Sequence, residues 1–161
     1  MKLFGIVLLV LCSYLLGNVI AVNEGEKLKT LNSLISMLQF LSRRMEGENR
    51  PLNLLFAQYK DSYLEKTGFL QSLRQGGENL IGRWNTALDC LPLEERLKNE
   101  LLNFGESLGR LGLDAQLKNI NLCVLMLEQE KEKLKTALPQ KQKSIKAVAF
   151  LLGALTAIIL I

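Results

Sequence analysis

Both ends of this chain are apolar and its middle is not. Leu3 to Val22 runs twenty residues without a charged side chain, and Ala147 to Ile161 runs fifteen more. The hydrocarbon core of a bilayer is about 30 Å thick and takes about 20 apolar helical residues to cross. The first run meets that length. The second covers about 22 Å at about 1.5 Å rise per residue. Lys141, Lys143 and Lys146 extend it if their stems lie along lipid with the ammonium groups among the headgroups. The pattern predicts a membrane anchor over residues 1–23, a soluble domain over 24–140 and a second anchor over 141–161.

The 161 residues leave room for one domain between those ends. A net charge of +4 with no basic stripe interleaved with aromatics makes no case for nucleic acid. It suits an anionic lipid surface better. Histidine is absent, which removes the usual proton shuttle near neutral pH and the commonest transition-metal ligand. Cys12, Cys90 and Cys123 are an odd number with no C-x-x-C pair, so a disulfide framework is not expected and the domain reads as intracellular. Cys90 and Cys123 read as small buried hydrophobes. Cys12 lies inside the first run behind Leu11, where a lipoprotein cysteine would need a small residue. No cofactor, metal or small-molecule substrate is implied.

The first run also carries Val19-Ile20-Ala21, which is similar to a signal-peptide cleavage site. Its apolar length exceeds the usual 7–15 residues of a signal core, so an uncleaved anchor is favoured. Ser13, Gly17 and Ala21, and again Ala149, Gly153 and Ala157, place small residues on one face of each run. Such faces let membrane helices approach closely.

Between the ends the apolar residues recur at three and four. Leu28, Leu31, Leu34, Ile35, Leu38 and Leu41 predict an amphipathic helix from Glu26 to Met45. Pro51 starts the next, and Leu52, Leu55, Phe56, Tyr59, Tyr63 and Leu64 carry one helical period on to Gly68. A short helix is expected over Phe69–Leu73, then a turn at Gly76-Gly77. Glu78 to Leu88 puts Leu80, Ile81, Trp84 and Leu88 on one face, with Trp84 as a core anchor. Pro92 is expected to open a helix with Glu94 and Glu95 in its first turn and Leu97, Leu101, Phe104 and Leu108 inward. Leu113, Leu117, Ile120, Val124, Leu127, Leu134 and Leu138 form a heptad seam whose phase continues into the second apolar run. Pro139 should kink or break that helix by removing a hydrogen bond and crowding the Lys135 carbonyl. No strand pattern of useful length occurs. The fold class is all-α: a compact bundle of about six helices flanked by two transmembrane helices.

Lysines set the orientation. Lys131, Lys133, Lys135, Lys141, Lys143 and Lys146 crowd the approach to the second run, and Lys27 and Lys29 follow the first. The positive-inside bias then places the central domain in the cytoplasm with each terminus across the membrane.

Phe104-Gly105-Glu106-Ser107-Leu108-Gly109, followed by Gln116-Leu117-Lys118-Asn119-Ile120 opening a long charged helix, resembles the stage III sporulation protein AB family of spore-forming bacteria. Lys2-Leu3-Phe4-Gly5, Arg50-Pro51-Leu52, Trp84 with Leu88, and Leu160-Ile161 fall in the family's order, so the resemblance covers essentially the whole chain. Gly112 stands where the family usually has Asp as a helix cap, and Pro139 is atypical of it. The resemblance implies a subunit of the mother-cell membrane complex that connects with the developing forespore. It implies a soluble domain similar to the cytoplasmic domains of the type II secretion platform protein. The partners it implies are other stage III sporulation proteins, including a secretion-type ATPase, together with membrane lipid.

Within the motif, Phe104 and Leu108, with Leu101, read first as core. Gly105 and Gly109 allow either close helix packing or a shallow groove for a partner. Gln116 is expected to satisfy free amides at the start of the last helix. Phe104, Gly105, Leu108, Gly109 and Gln116 are therefore the candidate partner-binding residues, and Lys141, Lys143 and Lys146 the candidate membrane-facing ones. Enzyme readings are poorer. Glu94-Glu95 and Glu128/Glu132 are carboxylate pairs, but the spacing of the latter to Lys131 and Lys135 suits surface ion pairs. Gly105, Gly109 and Gly112 lack the Lys-Ser/Thr of a phosphate loop. The function expected is non-catalytic, a structural or adaptor subunit. The alternative is a secreted helical cell-surface protein with a cleaved signal and a lipid-anchored tail.

Overall fold

Helix α1 spans residues 25–47 in the computed structural model, close to the limits its leucine spacing predicts. The structure describes residues 25–47, 51–75 and 79–160, and from residue 138 onward the backbone only, Val148 excepted. Residues 27–131 form one compact unit, and it is this unit that carries the core. On α1, Leu31, Leu34, Ile35, Leu38 and Leu41 are buried as expected, and Met37 and Met45 widen the stripe. Two hydroxyls fall on the same buried face, and each finds a partner, as buried polar groups must. Thr30 Oγ1 lies 2.8 Å from the Tyr63 hydroxyl, and Ser42 Oγ donates to Asn121 Oδ1 at 3.3 Å.

The single helix expected from Pro51 to Gly68 is in fact two, α2 (Leu52–Gln58) and α3 (Ser62–Lys66). Tyr59 turns extended at ψ 136°, and Asp61 restarts the chain as a cap, its carboxylate accepting from Tyr63 N at 3.0 Å and Leu64 N at 2.8 Å. The apolar period runs through the break because both short helices bury the same side. The carbonyl of Tyr59 is taken by the Arg74 guanidinium. An aspartate in this role contributes about 1 kcal/mol. Asp61→Ala should lower the melting midpoint by about 4–8 °C, measured by circular dichroism on the full chain; an unchanged midpoint would show that the packing of Leu64 alone sets the break.

Gly68 adopts a left-handed φ of 85° and leads into α4 (Phe69–Arg74). Asn79 caps α5 (Leu80–Asp89), its Oδ1 accepting from Gly82 N at 2.7 Å. Arg83 reaches back from α5 to the end of α4, donating to Leu73 O at 2.9 Å and Gln75 O at 3.5 Å, and to Asn53 Oδ1 of α2 at 2.9 Å. One guanidinium thus ties the end of α4 and the start of α2 to α5.

Helix α6 (Glu95–Glu106) starts later than Pro92 suggests. Leu93 N closes a tight turn on Leu91 O at 2.8 Å, and Glu94 is the extended residue before the helix. The Glu94 carboxylate pairs with Lys27 of α1 at 2.9 Å instead of capping α6. Leu97, Leu101, Phe104 and Leu108 point inward as predicted.

Trp84 is the centre of the core. It is fully buried, with ring centroids 5.8 Å from Phe69 and 5.6 Å from Phe104, both edge-on, and 6.4 Å from Phe56. Its Nε1 donates to Leu101 O at 2.8 Å, which resolves the polar end of a buried indole.

Helix α7 (Leu113–Leu160) continues through Pro139, so of the kink or break expected there the break does not occur. Among the described residues the heptad seam is buried from Ile120 through Val124 to Leu127; Leu113 is 39% exposed. Arg96 of α6 ties to Glu130 of α7 at 2.6 Å and to Glu100 at 3.0 Å.

Among the described residues there is no strand, and the all-α prediction holds. Among them, too, no helix is long and apolar enough to cross a membrane. The proposed first span, 3–22, and the side chains of the second, Val148 excepted, lie outside the described residues, as do the small-residue faces of both.

Candidate partner-binding site

Five residues around the α6–α7 connection carry the candidate site, and the fold divides them. Phe104 and Gly105 face inward. Gly105 has no side chain because the Trp84 indole occupies its place: a Cβ there would meet Trp84 Cδ1 well inside contact distance and Nε1 at 2.7 Å. The steric demand at Gly105 is therefore intramolecular, and the position is closed to a partner.

Leu108, Gly109 and Gln116 come together on the other side of the turn. Ser107 ends α6, its Oγ donating to Phe104 O at 2.7 Å and accepting from Asn119 Nδ2 of α7. Gly109 follows with φ +74°, a left-handed conformation that strains any side-chain-bearing residue by about 1–2 kcal/mol. Helical side chains lean toward their own N-terminus. Gln116, one turn into α7, therefore reaches back over the connection, and its Oε1 accepts from Gly109 N at 3.1 Å. Gln116 is expected to serve free amides of its own helix; in the structure it serves the preceding turn instead. Since the Gly109 amide is a donor, the glutamine oxygen must face it. The other end, Nε2, is buried with no hydrogen-bond partner.

Beside Gln116 opens a cleft of about 400 Å³. Its apolar wall comes from Met45 of α1, Leu52 of α2, Leu80 of α5, and Leu108, Leu111 and Leu113 of the connection. Leu111 and Leu113 stand 43% and 39% exposed. Sequence reasoning missed this wall. Leu113 reads by its spacing as part of the heptad seam, and Met45, Leu52 and Leu80 come from helices distant in sequence. The one local signal was a leucine on each side of Gly112, of which Leu111 continues the spacing of Leu97, Leu101, Phe104 and Leu108 beyond the end of α6.

Arg83, whose Nη2 holds Asn53 of the cleft, donates to two carbonyls and one amide oxygen and has no ion pair among the described residues. Arg110, between Gly109 and Leu111, is exposed and likewise has none. The N-terminus of α7 adds its partial positive charge, and Gly112 has no side chain to cap it. Asp114 in the first turn opposes these.

Reactive groups elsewhere are held in structural roles. Burial, and then the charge of Glu100, pushes the Cys123 thiol up to about 12, so it stays protonated at neutral pH. Cys90 is exposed, not buried as its small size suggested; it sits at the end of α5, 3.8 Å from Ser72 Oγ. Glu132 pairs with Lys135 at 2.8 Å, as the spacing predicts. Among the described residues no group of three His, Cys, Asp or Glu is placed to hold a metal ion. Lys141, Lys143 and Lys146 lie on the α7 backbone, and their side chains fall outside the described residues.

Comparison with known proteins gives a concordant result. The family model described as Stage III sporulation protein AB matches residues 2–161, both apolar ends included. Stage III sporulation protein AB of Bacillus subtilis (strain 168) is 26% identical over 169 aligned positions, covering 99% of each chain. No solved structure matches. With the helical core around Trp84, the Phe104–Gly109 turn and a match from end to end, the chain belongs to the stage III sporulation protein AB family.

Proposed function

We propose that this sporulation-family chain is a non-catalytic structural or adaptor subunit of the secretion-like complex joining mother cell and forespore, and is required for forespore development. In this reading the two apolar ends anchor it in the mother-cell membrane. The bundle faces the cytoplasm, where it docks other stage III sporulation proteins, the secretion-type ATPase foremost. The observation that carries the reading is the division of the family motif. Phe104 and Gly105 serve the core alone, whereas Leu108, itself buried, also lines with Gly109 and Gln116 an apolar cleft beside an unpaired buried donor. Unmatched apolar surface beside an unmatched polar group suits association better than chemistry.

A photo-crosslinking residue at position 111, introduced into the full chain in sporulating cells, tests this. The expected result is an adduct with another stage III sporulation protein, strongest with the ATPase, and none from position 66 on α3. Equal capture from both positions, or none from 111, would refute docking at this face. Protease added to intact mother cells should leave residues 24–140 whole; their digestion from outside would favour the secreted alternative.

A further inference from the structure

We draw no further inference here: the strongest candidate, the outward face of α7 on which Leu122 and Leu125 stand 56% and 54% exposed, is an unpartnered apolar patch, and nothing in the structure shows what covers it.

Discussion

Gly105→Ala should unfold much of the domain at temperatures the parent chain withstands. Adding one methyl group is normally among the mildest changes a helix can receive, and alanine is favoured over glycine there by about 1 kcal/mol. Here the sign reverses. The Cβ would fall 2.7 Å from Trp84 Nε1 and closer still to Cδ1. The indole has nowhere to go, since Phe56, Phe69 and Phe104 surround it. The contact is tight for a specific reason. Trp84 Nε1 donates to Leu101 O, the carbonyl that α-helical geometry also gives to the Gly105 amide. The indole must therefore approach where a side chain at 105 would stand. Moving it breaks a buried hydrogen bond and overpacks the core, about 1–3 kcal/mol for each. Less the helix gain of about 1 kcal/mol, the net loss of about 1–5 kcal/mol should lower the melting midpoint by at least about 4 °C. A midpoint equal to that of the parent would mean that the indole can shift freely and that the core is not built around this contact.

Trp84→Leu attacks the same junction from the other side and should cost about 3–5 kcal/mol, as large-to-small changes at aromatic core positions do. The void it leaves lies against Gly105. The double variant Gly105→Ala with Trp84→Leu should therefore be less damaged than the two single losses added together. Residues in direct contact couple by about 0.5–3 kcal/mol. Denaturant midpoints for the four chains complete the cycle. Simple additivity would contradict the geometry, because it would make the methyl at 105 and the indole independent. Neither change touches Leu111, Gln116 or Arg110, so crosslinking from position 111 should fail in these variants only as far as folding does.

The comparison of α1 with α2–α3 shows where periodicity suffices. On α1 the spacing of leucines gave the helix and its buried face, because one continuous helix repeats every 3.6 residues and both ends were marked. From Leu52 to Leu64 the same reasoning merged two helices, since the buried side persists across a break and only the Asp61 cap betrays it. The late start of α6 has a similar cause: Glu94 is claimed by Lys27, a residue 67 positions away. The candidate site divided along the same line. Phe104 and Leu108 were legible as core, but the choice between packing and groove at Gly105 and Gly109 was not.

Local chemistry alone was enough to determine the all-α class, the buried part of the α7 seam from Ile120 to Leu127 and the structural place of Trp84, because spacing and apolar patterning act along the chain. Tertiary structure decided what each motif residue is for. Gly105 serves the indole because α5 crosses α6 at that point, and Gln116 keeps an unmatched donor because Gly109 takes only its oxygen. The cleft exists because Met45, Leu52 and Leu80 arrive from three other helices. Those outcomes depend on which surfaces meet in space, and the order of residues does not record that.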